Sequence, residues 1–241
     1  MSEMRTDNRL VLSAAALLAV GVAGGGALVG RSLEHFRSGD RTVTVRGLSE
    51  RVVKADLAVL PIPFAAAGDS LETVQGKIDG DISTVRRFLT DQGFRPDEID
   101  LGKLEVADRF AQEYQNNQTQ PRYRVSQTVI VRSPNVDLVQ AATRRLDVLV
   151  RGGVVLQNYQ GPSYLFTRLN DVRPTMIAEA TASARSGAQQ FARDSGSGLG
   201  PIRDATQGSF EILGRDEIGY EANSQVFKKV RVVTTVRYQL R

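Results

Sequence analysis

Apolar and polar positions change period several times along this chain, and each change marks an element. From Leu10 to Gly30, LVLSAAALLAVGVAGGGALVG, there is no charged residue. A helix rising about 1.5 Å per residue spans a hydrocarbon core over that length. Val43 and Val45 then alternate with Thr42, Thr44 and Arg46, the period of a strand, and Gly47 is expected to break or bulge it. Leu57 to Phe64 is almost wholly apolar, as in a strand covered on both faces. Pro61 and Pro63 remove two amide donors, which predicts an edge position or a bend. Asp69 with Glu72 predicts a capping box. The helix it opens carries Leu71, Val74, Ile78, Ile82, Val85 and Leu89 on one face and stops at Gly93 and Pro96.

The pattern continues with a strand in DEIDLGKLEV, a polar loop from Phe110 to Arg122, and a cleanly alternating strand from Tyr123 to Val131. Ser133 as N-cap with Pro134 at the first helical position predicts a helix bearing Val136, Val139, Leu146, Leu149 and Val150. Gly152 and Gly153 stop it. Val154 to Thr167 reads as a strand broken at Gly161–Pro162, and an alanine-rich helix starts near Pro174. A strand from Ile202 to Leu213, a polar loop from Gly214 to Gln225 and a long strand in KKVRVVTTVRYQL close the chain. The order ββ-α-ββ-α-β-α-ββ predicts an α+β fold of antiparallel sheets with helices packed on one face. Helix, strand, polar loop and alternating strand occur at 70–131 and again at 174–240, a weak internal echo.

The alanine-rich helix ends in Gly196, Gly198 and Gly200, in SGSGLG. A phosphate-cradling loop runs strand, glycine turn, helix, so that the anion meets free amides at a helix N-terminus. Here the glycines follow the helix and lie at the negative end of its dipole. They are expected to form a C-cap. Ala180, Ala184, Ala188 and Ala192 recur at four-residue steps and give the helix a smooth stripe for close approach to a sheet.

Four stretches, in order, resemble the SIMPL-domain family over about residues 41 to 241. RTVTVRGLSERVVKADLAVL is similar to the opening strand pair, with Gly47, Asp56 and Ala58 at the matching places. YRVSQTVIVRSPNVDLV resembles the middle strand and helix start, and SYLFTRLNDVRPTMIAEA the entry to the long helix. The alanine stripe followed by ARDSGSGLGPI, with Ala184, Ala188, Gly196 and Gly200, resembles the closing signature. Phe110–Arg122 and Arg215–Asn223 match no motif. The resemblance implies an α+β envelope domain like that of periplasmic immunogenic proteins and of an envelope protein linked with oxidative-stress tolerance. The family is similar to proteins that form rings, which implies self-association as an expectation. The family has no agreed catalytic residues, so none are carried over.

Composition narrows the chemistry. Thirty-one basic and 27 acidic residues give a net charge of +4 without a block of like charge, so a nucleic-acid partner is not indicated. With no Cys, disulfides, thiolate catalysis and cysteine-ligated metals are excluded. With His35 the one histidine, next to the expected membrane span, a His-containing catalytic triad and a multi-histidine metal site within one chain are not expected. No catalytic residue, cofactor or metal site is expected. The acid clusters Asp97/Glu98/Asp100 and Asp216/Glu217 read as solvated turn residues, and Arg144–Arg145 and Lys228–Lys229–Arg231 as surface or strand-start residues. Asp56 opens an apolar strand and needs a partner or water, which points to a structural hydrogen-bond role. Tyr159, Tyr164 and Phe166 are candidates for an apolar ligand groove, set against the ordinary reading of strand aromatics as core.

The expected layout is a cytoplasmic leader (1–9), a transmembrane signal-anchor helix (10–30), a linker (31–40) and one SIMPL-like domain (41–241). Arg5 and Arg9 before the span balance Arg31 and Arg37 after it. A short leader before a first helix places the N-terminus in the cytosol and the domain in the periplasm of a bacterial inner membrane. Small residues at Gly21–Ala23 and Gly25–Ala27 leave a cleaved, secreted form as the alternative. The function expected is a non-enzymatic, membrane-anchored, self-associating envelope protein. The runner-up is a periplasmic module binding a small ligand or cell-wall component, its ligand unknown.

Overall fold

The computed structural model describes residues 18–19, 21–22, 25–26, 41–111, 120–216 and 222–241. In chain order the elements are β1 (Thr42–Lys54), β2 (Leu57–Gly68), α1 (Leu71–Asp91), β3 (Ile99–Asp108), β4 (Tyr123–Ser133), α2 (Val136–Thr143), α3 (Asp147–Arg151), β5 (Ser163–Leu165), α4 (Leu169–Asp194), β6 (Leu199–Gln207), β7 (Glu211–Gly214) and β8 (Phe227–Leu240). The fold is α+β with antiparallel sheets, as the pattern predicts. It divides into two compact units, one of residues up to Leu48, Ile177–Gly208 and Val233–Arg241, the other of Ser49–Met176 and Ser209–Val232. Among the described residues no helix is long and apolar enough to cross a membrane. Most of the expected anchor, Leu10–Gly30, and all of the linker lie outside the described residues.

The larger unit is built on a sheet in the order β3-β4-β2-β5. Strand alternation sends Ala58, Leu60, Ile62 and Phe64 of β2 to one face, where each is fully buried. Register sets Leu60 opposite Val131 and Ile62 opposite Val129. The 3.6-residue period of α1 brings Val74, Ile78, Val85 and Leu89 into the same core, joined by Val139 of α2 and Leu149 of α3. Pro61 and Pro63 sit inside this sheet rather than on an edge strand. They are tolerated because β5 covers only Leu57–Val59. Beyond it, the Pro63 carbonyl accepts from the Gln157 amide at 2.9 Å and the Ala65 amide donates to Val155 at 3.1 Å. The odd-numbered backbone groups of β2 therefore face away from β4, and no ladder bond is lost to proline.

The smaller unit has the strand order β1-β8-β6. The Leu240 amide donates to the Arg41 carbonyl at 2.8 Å, and at the far end of the strands the Ala55 amide donates to the Val226 carbonyl at 2.8 Å, so β1 and β8 run antiparallel. Its core is small: Val43, Ala184, Ala188, Val236 and Tyr238. The two units repeat one topology, a strand, a helix, and a strand pair whose last member lies between the other two. The first is β2-α1-β3-β4 and the second β1-α4-β6-β8, which gives the internal echo a structural basis.

Several local expectations are corrected. Gly47 does not break β1, which continues through it from Thr42 to Lys54. Ser70 caps α1, accepting from the Thr73 amide at 3.5 Å. Asp69 instead accepts from the Arg122 amide at 3.1 Å. Asn135, not Ser133, caps α2, its Oδ1 accepting from the Leu138 amide at 3.1 Å. Pro134 is thus left outside the helix. Val154–Thr167 is mostly irregular, with one bridge at Leu156 and the three-residue β5. Pro174 lies inside α4, which starts five residues earlier at Leu169. The strand expected over Ile202–Leu213 divides at Gly208 into β6 and β7.

Candidate functional site

The glycines after α4 form a helix stop. Gly196 holds φ +66°, the left-handed region open to glycine. The Ser197 amide donates to Ala192 at 2.9 Å and the Gly196 amide to Arg193 at 3.1 Å, the paired bonds of a Schellman motif. Gly198 exchanges two bonds with Arg241, at 2.7 and 2.8 Å. These amides are committed to the fold, and no phosphate cradle forms.

The alanine stripe packs as its spacing predicts, with Ala180, Ala184 and Ala188 fully buried. Gly47 is the other half of that contact. A Cβ built there would lie 1.9 Å from the Ala180 carbonyl oxygen and 2.4 Å from the Ala184 amide nitrogen. Only a residue without a side chain lets strand and helix backbones come this close. Ala58, also fully buried, serves the larger unit's core.

Asp56, in the turn between β1 and β2, holds the chain ahead of α4. Its carboxylate accepts from the Thr167 amide at 2.9 Å, the Thr167 hydroxyl at 2.8 Å and the Arg168 amide at 3.1 Å. The Arg168 guanidinium stands 3.5 Å away. Burial pushes the Asp56 carboxyl upward, but the Thr167 and Arg168 bonds together outweigh it and hold it below the usual carboxylate range. The residue bridges more than a hundred positions of sequence, a structural task that leaves no oxygen set aside for proton transfer.

The aromatic candidates are divided. Tyr164 is buried in the larger core, and Tyr159 packs against that core half-buried. Burial raises the phenol of each. Phe166 is half-buried, and none of the three lines the clefts described below. Asp97 pairs with Arg95 at 3.1 Å, Asp100 with Arg132 at 2.7 Å, and Glu98 accepts from the Arg95 amide at 2.9 Å. Asp216 pairs with Arg215 at 3.0 Å; Glu217 and His35 lie outside the described residues. Among the basic candidates, Arg145 donates to Gln92 at 3.2 Å and Arg231 stands 3.6 Å from Glu50. Lys228 is buried, donates to the Ala222 carbonyl, and has its ammonium pushed down by desolvation.

Three clefts of the larger unit hold charge, one of them, of about 530 Å³, lined by Glu105 and Arg124. A second, of about 410 Å³, is lined by Lys54, Asp137, Arg215 and Asp216 among others, and each of its two cations pairs with one of its two acids. The third, of about 530 Å³, lies where β2 and β4 meet the loop after β3 and is lined by Lys77, Arg109 and Arg124. Its walls are fixed by Arg122. That guanidinium forks onto Asp108 at 2.9 and 3.1 Å and lies 4.8 Å from the Tyr123 ring centroid. The Arg109 amide donates to the Arg122 carbonyl at 2.9 Å, which ties the two ends of the loop together. Sequence reasoning missed this cleft, because its cations come from three elements with no shared spacing. The basic residues Arg109, Arg122 and Arg124 flanking the glutamine- and asparagine-rich loop were the available signal.

The Asp56 clamp, the Gly47–alanine contact and the Gly196 stop are the places where the resemblance to the SIMPL family rests. No curated protein matches the chain. The model of the family SIMPL, described as a protein of unknown function (DUF541), matches residues 43–238. This chain belongs to the SIMPL family.

Proposed function

We propose that this is a non-enzymatic cell-envelope protein that self-associates, anchored in the inner membrane by residues 10–30 with its N-terminus in the cytoplasm and its SIMPL domain in the periplasm. The observation that carries the assembly reading is β3. It is the outer strand of its sheet, and it exposes Leu101, Leu104 and Val106 by 49%, 49% and 53%. An outer strand offers unpaired backbone groups to a second strand, and exposed apolar side chains on it favour that pairing. Most of the acidic and basic clusters that suggested chemistry are engaged in ion pairs, caps and backbone bonds, which supports a non-enzymatic role.

The test is the mass of the full chain in detergent solution, measured by light scattering with the detergent contribution subtracted. Several chains per particle are expected, and Leu104→Lys with Val106→Lys should reduce the particle to one chain without lowering the melting temperature. A monomer at every accessible concentration contradicts the reading. For the anchor, a cysteine introduced at Lys103 should react with an impermeant thiol reagent in intact spheroplasts, and protection reverses the topology.

A further inference from the structure

Three basic side chains from three elements meet at one end of the larger unit's sheet. Lys77 comes from α1, Arg109 from the turn after β3, and Arg124 from the start of β4. With Ala65–Ala67, Gln120, Pro121 and Val155 they line a recess of about 530 Å³. That is an ordinary size for a small-molecule site. The alanine run at the end of β2 makes the hollow, since larger side chains there would fill it.

The charge in this recess is not neutralised by its own walls. Among the described residues no carboxylate lines it, although Arg124 also borders a second recess that Glu105 lines; in the Lys54 cleft of the same unit, by contrast, each cation pairs with a carboxylate of that cleft. Lys77 is engaged by Asp81 and by the Gly153 carbonyl at 3.0 Å. Arg109 and Arg124 form no ion pair among the described residues. Among the described residues, the Arg109 guanidinium donates to the Gln120 side-chain oxygen at 2.5 Å. Both arginines are half-buried residues on backbone pinned by the Arg122–Asp108 fork, so little ordering remains to be done when a ligand arrives.

Two guanidiniums that line one recess and form no ion pair among the described residues select a particular partner. Each offers a planar pair of N–H donors. A monocarboxylate has two oxygens and one charge, enough for one of them. A phosphate monoester has three free oxygens and a charge of about −1.5 to −2 near neutral pH, enough for both. Ala65–Ala67, Pro121 and Val155 give an apolar surface for the group the ester carries.

We propose that the recess lined by Lys77, Arg109 and Arg124 binds a small phosphate monoester, the two arginines taking the phosphate oxygens and the alanine floor taking the organic group. This is a binding function additional to self-association and independent of it. The same chemistry is supplied by a soluble ester or by a phosphomonoester lipid headgroup.

Calorimetric titration of the full chain in detergent solution tests it with three probes: inorganic phosphate, phenyl phosphate and dioctanoyl phosphatidate. Phenyl phosphate or the phosphatidate should bind more tightly than inorganic phosphate. Arg109→Gln and Arg124→Gln should each weaken that binding about tenfold or more, the loss of a charge-assisted bond. Their melting temperatures should not change, because neither guanidinium supports the core. Preference for the phosphatidate identifies the lipid source, and preference for phenyl phosphate the soluble one; both support the site. Absence of binding by all three probes overturns the proposal. So does binding that survives both glutamine substitutions, or an affinity for inorganic phosphate equal to that for the esters.

Discussion

The two units share one topology and solve its packing in opposite ways. In the larger, α1 meets the sheet through Val74, Ile78, Val85 and Leu89, and the sheet answers with Leu60, Ile62 and Phe64. In the smaller, α4 meets β1 and β8 through Ala184 and Ala188, and β1 answers with a glycine. Large side chains fill space between layers that stand apart. Small ones let the backbones touch, so stability depends on the absence of atoms rather than on their burial. Their outer strands differ as well. β3 exposes two leucines and a valine with one register shift, while β6 carries Arg203, Asp204, Thr206 and Gln207 and is irregular at two places. Charge and bulges blunt an edge. β6 does expose Ile202, by 46%, but next to charge and irregular pairing, so the proposed self-association is better served by β3.

The largest effect expected from breaking this contrast is at Gly47. One methyl group there would overlap the Ala180 carbonyl, so strand and helix must separate. Gly47→Ala should cost more than about 4 kcal/mol, read as a lost or much earlier thermal transition. The comparison is blunted if the variant melts with the wild type.

Next is Ala188→Leu, expected to cost about 1–3 kcal/mol by overpacking. The opposite change in the larger unit, Ile78→Val, should cost about 0.5–1.5 kcal/mol through a small cavity. Denaturant titration of both variants checks the order. A cheaper Ala188→Leu would mean that the helix can retreat.

At the Asp56 clamp, Asp56→Asn should cost about 1–3 kcal/mol at neutral pH by weakening the bonds to Thr167 and Arg168. The wild-type carboxyl lies below its unfolded value, so its contribution is full above about pH 4 and is lost as pH falls through the folded value. The gap between the two proteins in urea should therefore close on acidification. A gap that is constant with pH removes the charge from the account.

The smallest effect separates two glycines of one helix region. Gly196→Ala, at φ +66°, should cost about 1 kcal/mol. Gly187→Ala, on the exposed face of α4 with nothing within 4 Å, should add about 0.5–1 kcal/mol of stability. Opposite signs in the two melting curves are the expected result.

Much of this was legible before the structure. The alanine stripe, the glycine stop and the periods of α1, β4 and β8 announced themselves because each is a repeat along the chain. The family was legible from four such stretches in order. Gly47 was misread as a break because a glycine in a strand has the same local signature whether it bends the chain or admits a helix backbone. The caps at Ser70 and Asn135 were each missed by one or two positions, since Asp69 and Ser133 carry the same capping chemistry. Pro61 and Pro63 were read as edge residues because sequence alone does not show which way a strand's amides face. The Lys77–Arg109–Arg124 recess had no period to reveal it, being assembled by tertiary contact alone.

The most direct measurement of the self-association claim is deuterium uptake of the full chain in detergent, at concentrations above and below particle dissociation. β3 amides should exchange slowly in the assembled particle and quickly in the dissociated chain, while β6 amides exchange at the same rate in both. Equal exchange of β3 in the two states, or protection that moves to β6, would contradict the account.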